Sequence, residues 1–302
     1  MSTVVDRAGD STGADLSIWP STQMGVSCPS GPRRSTRRAH PIAGRTHDHG
    51  LGSQLDQLAP ITLEEMVDEA ALMTRVDRKY LLPLPALAEV IDATTQARVL
   101  TIDGLRSFAY RSDYLDTGDL ASFHAAGRRR RRRWKVRGRT YLDSGTSWLE
   151  VKTRGPRGTT VKARVQHQPV ADGLTAEGER FVVDTLASIG ATLDPSELAP
   201  ALVTRYRRST LYLPEEQRPA RATVDVDLTW SSPGGGESLD LPGLAVVETK
   251  GSTAPSSLDR ALWHLGHRPV RMSKYGTGLS ALHDDLPALK WHRTLRRHLA
   301  AA

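Results

Sequence analysis

The 302-residue chain has a single cysteine, Cys28, and only 5% aromatic residues. One cysteine excludes an internal disulfide framework and any zinc site built on cysteines. So few aromatic rings leave no obvious platform for stacked bases, and nucleic acid is not an expected partner. No apolar run approaches the ~20 residues needed to cross a bilayer. The opening stretch MSTVVDRAGD lacks a basic region followed by an apolar segment, so a secretory signal is not expected either. These absences lead us to expect a soluble cytoplasmic protein with no membrane segment. Acidic residues are in the minority, 34 Asp and Glu against 41 Lys and Arg, and the net charge of +7 points to an anionic partner. The hydrophobic content of 38% is low, yet a chain of this length buries enough surface for a core.

Residues 1–55 are rich in Ser, Gly, Pro, Arg and His with little apolar periodicity, the composition of a disordered basic tail. Two histidines in THDHG are too few for a metal site. Residues 56–302 read as one domain. Thr62 is placed to cap a helix, with Glu65 as its reciprocal partner, and PALAEVIDATTQ has helical spacing. Strands then dominate: SFAYRSDYLDT, RRRWKVRGRTYL, SWLEVKTR and TTVKARVQ alternate polar and apolar residues around the turns DSGT and GPRG. AEGERFVVDTLASIG reads as a helix ending at Gly190, followed by strands ALVTRYRRSTLYL, RATVDVDLTW and GLAVVETK. SSLDRALWHLG is a helix, PVRMSKYGTGLSALH a strand entering a helix, and LPALKWHRTLRRHLAA a basic C-terminal helix.

The stretch GRRRRRRWKVRGRTY poses the functional question. From Arg128 to Arg164 there are fourteen Lys and Arg against two acids, a local +12. Side chains alternate between the two faces of a strand. Arg133, Lys135, Arg137 and Arg139 therefore share a face opposite Trp134 and Val136. Glu150 and Lys152 oppose Leu149 and Val151, Lys162 and Arg164 oppose Ala163 and Val165, and Arg221, Asp225 and Asp227 oppose Val224, Val226 and Leu228. A merely solvated sheet face mixes signs, because like charges opposite one another are destabilising. Basic residues on neighbouring strands imply an anion that offsets their repulsion. If the sheet closes, these side chains line an interior, as in closed sheets that enclose a ligand channel. The expected fold is α+β: a closed antiparallel β-barrel with helices packed on its outside.

An ordered set of landmarks carries a resemblance. RVDRKY, YLDT, KVRGRTY, LEVKTR, VKARV, TRYRRSTLYL, VDVDLTW, VVETK and SKYGTG follow one another from about Leu63 to Leu282. In this order the chain resembles the VTC (vacuolar transporter chaperone) polyphosphate polymerase domain, within the triphosphate tunnel metalloenzyme, or CYTH-like, group. The resemblance implies a triphosphate tunnel in which Lys79, Arg137, Arg139, Lys152, Lys162, Arg208 and Lys274 serve catalysis. It further implies that Arg75, Tyr206 and Ser273 bind substrate, and that Glu248, with Glu150 as a second candidate, binds Mn²⁺ or Mg²⁺. The arginine run before Trp134 is denser than the family pattern, and Arg207 stands where an uncharged residue is expected.

The physical logic of phosphate chemistry agrees. Arginine offers a planar fork to phosphate oxygens and lysine a compact point charge, and phosphoryl transfer is catalysed mainly by positioning and charge stabilisation. Three functions stay open at this point. The first is polyphosphate synthesis from ATP. The second is metal-dependent hydrolysis of inorganic triphosphate in the same tunnel. The third is a non-enzymatic module that binds polyphosphate or nucleic acid.

Overall fold

The computed structural model describes residues 51–69, 76–94, 96–154, 160–216 and 218–299, and the backbone of residues 2–5. Arg75, the THDHG histidines, the GPRG turn and most of the N-terminal tail fall outside the described residues. Two pieces of the expected tail do form elements: strand β1 (Ser2–Val5) and helix α1 (Leu51–Gln57). The chain continues through β2 (Ala59–Ile61), α2 (Leu63–Glu69), β3 (Val76–Pro83), α3 (Leu84–Asp92), β4 (Arg98–Leu100), β5 (Phe108–Asp116) and α4 (Ala121–Gly127). Next come β6 (Trp134–Tyr141), β7 (Thr146–Arg154), β8 (Thr160–Gln166), α5 (Ala176–Ala187), β9 (Ala199–Leu213) and β10 (Ala220–Ser231). Strands β11 (Ser238–Leu241) and β12 (Leu244–Gly251) precede α6 (Ser257–His264), α7 (Lys274–Leu282) and α8 (His292–His298).

The main sheet runs β1-β8-β7-β6-β5-β9-β10-β12-β3. Every neighbour in it is antiparallel except β1, which lies parallel to β8. It curls until residues of β3 and β12 face those of β6, β7 and β8 across one cavity. Among the described residues the end strands β1 and β3 are not hydrogen-bonded to each other. The barrel is thus closed by apposed side chains and not by a continuous ladder. The segment expected to be the strand PVRMS is irregular; only its Val270 N–H reaches the edge of β3, donating to the Lys79 carbonyl at 2.7 Å.

Apolar flanks point outward, each covered by a helix. Phe181, Val182 and Leu186 of α5 bury Val136, Leu149 and Val151 of β6 and β7. Leu87, Val90 and Ile91 of α3, with Leu258 and Leu262 of α6, bury Tyr80, Leu82, Val224 and Val247. Helix α7 differs from the expected outer position. Its Tyr275 and Leu279 pack with inward-facing Tyr114, Leu202 and Val246, and Gly278 approaches the Trp230 indole so closely that a Cβ there would lie 2.7 Å from it. The helix therefore sits across one end of the barrel. The C-terminal segment holds it there, since Trp291 packs on both Gly276 and Phe123.

Local rules explain the element boundaries. The Thr62–Glu65 capping box forms in both directions, Thr62 N–H to Glu65 Oε2 at 2.8 Å and Glu65 N–H to Thr62 Oγ1 at 3.2 Å. Ser256 and Asp259 do the same for α6. Gly145 and Gly190 take positive φ, at 71° and 65°, where the sequence placed a hairpin turn and a helix end. One alternation breaks. Strand β10 slips register between Val226 and Thr229, with Asp227 at φ 52°. This bulge moves Leu228 and Trp230 into the core around α7, so Asp227 does not continue the face of Arg221 and Asp225.

Gly138 supplies a test of the outward packing. A Cβ there would sit 2.5 Å from a Val170 methyl, and such overpacking costs about 1–3 kcal/mol. Gly138→Ala is expected to lower the thermal midpoint by roughly 2–10 °C, and adding Val170→Ala is expected to recover part of the loss. Equal midpoints for Gly138→Ala and the parent would show that this flank is not tightly packed.

Candidate functional site

Antiparallel register assembles the cations into rows. Lys135 of β6 lies opposite Lys152 of β7, which lies opposite Lys162 of β8. Cβ atoms so placed are about 4.5–5.5 Å apart. Two unit charges about 4 Å apart repel by ~4 kcal/mol at an effective dielectric near 20. Nothing within this row of three lysines offsets that repulsion. In the next row, Arg137, Glu150 and Arg164, the central carboxylate does offset it. The facing wall brings Lys79 beside Glu248 and Arg208 beside Asp225. These walls enclose a cavity of about 190 Å³, lined by nine Lys and Arg against the three carboxylates Asp77, Glu150 and Glu248.

Each inner carboxylate clamps several cations. Glu150 receives Arg137 Nε at 2.6 Å and Lys162 Nζ at 2.7 Å, with Arg139 Nε at 3.8 Å. Burial would raise its carboxyl, but Arg137, Arg139 and Lys162 outweigh burial and hold it well below the usual carboxylate range. Asp225, behind the wall, takes Arg208 bidentately at 2.5 and 2.8 Å and also pairs with Lys274. Burial again opposes ionisation and these two cations again prevail, lowering the carboxyl. Glu248 contacts Lys79 and lies 3.9 Å from Lys250 Nζ. Despite burial, Lys79 and Lys250 keep it well below its ordinary value.

Burial and like charge act on the lysines in the other direction. Burial first, then Lys152 and Arg137, push Lys135 well below the ordinary lysine range. Burial lowers Lys152 and Lys274 as well, although Glu248 and Asp225 respectively oppose the shift. Lys135 Nζ donates to Ser273 Oγ at 2.7 Å, and that oxygen also accepts the Gly276 N–H at 3.2 Å as the N-cap of α7. Tyr206 stacks on Tyr110 with centroids 5.3 Å apart and has Lys274 4.5 Å above its ring. Its buried hydroxyl has no hydrogen-bond partner among the described residues. A buried polar atom of this kind in a cavity wall calls for a partner, which a ligand or an ordered water would supply.

Of the residues singled out by motif, Lys79, Arg137, Arg139, Glu150, Lys152, Lys162, Tyr206, Arg208, Glu248, Ser273 and Lys274 all line this cavity. Arg75 is outside the described residues. Lys135, Lys250, Asp77 and Tyr114 line it too; strand parity already sets Lys135 on the face of Arg137 and Lys250 on that of Glu248, and the same parity with Lys79 is the signal for Asp77. Arg207, the departure from the family pattern, faces away from the cavity and donates to the Ser107 carbonyl at 3.0 Å. A larger space of about 1070 Å³ adjoins the cavity, sharing Lys79, Lys135, Lys152 and Ser273 with it. The arginine run before Trp134 is a loop, not strand, and contributes Arg129, Arg131 and Arg133 to this mouth.

Fit to a divalent metal follows from the donor set. No group of three or more His, Cys, Asp or Glu comes together among the described residues. The chain thus offers one or two carboxylates, which suits Mg²⁺ or Mn²⁺ held jointly with water and phosphate oxygens. Glu248, whose side chain is 18% exposed against 3% for Glu150, is the accessible ligand.

The curled sheet thus surrounds a cavity lined mainly by cations. The VTC domain model matches residues 74–283. The chain belongs to the VTC domain family. Solved structures of low similarity include a putative adenylyl cyclase from Hippeastrum, described as having a dominant triphosphatase activity, at 17% identity and TM-score 0.41, covering 71% of this chain and 98% of that one. A putative adenylate cyclase from Vibrio parahaemolyticus is 13% identical with TM-score 0.37, covering 68% and 97%. A protein from Pyrococcus horikoshii is 12% identical with TM-score 0.39, covering 68% and 99%. No curated protein matches. No helix among the described residues is long and apolar enough to cross a membrane.

The depressed lysines make stability depend on pH. In the mouth, burial together with Arg133 and Arg129 pushes Lys290 down to about 8. A lysine whose folded value lies below its unfolded value destabilises the fold fully below the folded value. That penalty is relieved as pH rises toward the unfolded ~10.4. The thermal midpoint of the ligand-free protein is therefore expected to rise between pH 7.5 and 9.5. Sulfate, which does not titrate there, should raise it more at the lower pH. A midpoint that is flat or falls across the window would contradict this electrostatic account.

Proposed function

We propose that the protein is a polyphosphate polymerase that transfers the terminal phosphate of ATP to the end of a growing polyphosphate chain. A terminal oxygen of the chain attacks the γ-phosphorus and forms the new P–O bond. The bond from that phosphorus to the β,γ-bridging oxygen breaks, and ADP leaves with its electron pair. Membership of the VTC domain family supports this reading. One observation carries it further: the cavity carboxylates Glu150 and Glu248 are engaged by cations and held well below their usual range. Such carboxylates are poor general bases. A phosphate oxygen is already anionic and needs none, whereas water does. This favours a phosphate acceptor over hydrolysis.

In this scheme Lys135, Lys152 and Lys162 hold the equatorial oxygens of successive phosphates as point charges. Arg137 and Arg139, fixed by Glu150, and Arg208, fixed by Asp225, present planar forks where charge builds up during transfer. Lys79, Lys274, Tyr206 and Ser273 orient the donor, as does Arg75. Mn²⁺ or Mg²⁺ bound at Glu248 would neutralise phosphate charge, and Glu150 serves the arginines more directly than a metal. A cytoplasmic location, where ATP is supplied, belongs to this proposal.

Incubation of the purified protein with ATP and Mn²⁺, followed by electrophoretic separation of phosphate chains, is expected to give a ladder of increasing length. Orthophosphate without a ladder would establish hydrolysis instead. Glu248→Gln is expected to lower metal-dependent turnover by about 10–100-fold while metal-free binding of tripolyphosphate persists. Loss of that binding would assign Glu248 to the architecture of the lysines and not to the metal.

A further inference from the structure

The outer cavity is not accounted for by transfer of a single phosphate. Arg129, Arg131 and Arg133 from the loop before β6, Arg154 at the end of β7, Arg271 before α7 and Lys290 before α8 converge on it from four separate segments. Among the described residues none of these six forms an ion pair with a carboxylate. Arg133 donates to the Arg130 carbonyl and Lys290 to the Ala126 carbonyl, so their charges are fixed in place but not neutralised. Mutual repulsion is felt: Arg133, Arg129, Arg271 and Arg154 all depress Lys290, after burial. The volume, about 1070 Å³ against about 190 Å³ for the inner cavity, exceeds what one triphosphate in the inner cavity would use.

From this convergence we propose that the mouth is a second anion site, which holds the stretch of a linear polyphosphate chain extending out of the inner cavity and so selects long chains over short ones. The inference rests on the polyphosphate reading above and adds a chain-length preference to it. Continuity supports a single thread: Lys79, Lys135, Lys152 and Ser273 face both spaces. Inorganic polyphosphate is favoured over RNA as the occupant because the one aromatic residue among the described residues of the mouth, Trp291, is buried at 1% exposure beneath Lys290. No ring is offered to a base.

The test uses the full chain and a triple variant, Arg129→Asn, Arg131→Ser and Arg271→Ser. All three positions are exposed, and Asn suits the positive φ of 56° at Arg129. Binding of tripolyphosphate and of long-chain polyphosphate is measured by calorimetry across a salt series. The parent is expected to bind the long chain at least about tenfold more tightly than tripolyphosphate. In the variant, the long-chain advantage should fall by about tenfold and its salt slope by up to about three, roughly one per lost phosphate contact. Tripolyphosphate affinity should change by less than about twofold. Equal losses for both ligands, no loss for either, or single-stranded RNA competing as well as polyphosphate would overturn the inference. If tripolyphosphate fails to bind the parent, the polyphosphate reading itself fails and this inference goes with it. If it binds and the long chain gains nothing, only the second site is lost.

Discussion

The structure depends on keeping like charges together inside a barrel. Cations that would repel across adjacent strands are tied in sets by buried acids: Glu150 holds Arg137, Arg139 and Lys162, and Asp225 holds Arg208 and Lys274. A buried charge without a partner is strongly unfavourable, so these acids are conditions for the fold as well as for the site. They also orient the guanidinium forks before any ligand arrives, which is the preorganisation that electrostatic catalysis needs. What these two acids do not hold, Lys135 and Lys152 side by side on β6 and β7, is where the protein offers charge to something else.

Inverting the usual arrangement of a sheet makes this possible. The outward flanks of β3, β6, β7, β10 and β12 are apolar and are sealed by α3, α5 and α6, while the flanks that line the cavity carry the cations and acids. Helix α7 belongs to neither flank. By packing across one end on Trp230 and Leu202, it brings Ser273 and Lys274 to the cavity from a part of the chain far from the lysine strands. The C-terminal segment supports that placement through Trp291 on Gly276. Its basic residues therefore follow from a helix that braces the site, with Lys290 alone reaching the mouth.

Much of this was legible in the sequence because a strand repeats every two residues. Lys135, Arg137 and Arg139 could be assigned to one face without knowing the sheet, and Thr62 with Glu65, or Gly145 and Gly190, announce boundaries through local hydrogen bonding and backbone freedom. The reading failed where a local rule was overridden. Asp227 entered a bulge, which no alternation signals. PVRMS looked like a strand but has only the Val270 contact to an edge. Short strands β2, β4 and β11 have too few residues to show a period.

By itself, the sequence determined which side chains share a face, where the turns fall and that the face is too basic to be left without an anion. These are consequences of bond geometry and charge along a contiguous stretch. Only the tertiary structure decided which faces meet. Register set Lys135 beside Lys152 and Glu150 between Arg137 and Arg164, and curling brought Glu248 and Lys79 opposite them. Coulomb energies depend on distance and on exclusion of water, and both are fixed only once strands far apart in the chain have closed around a common space.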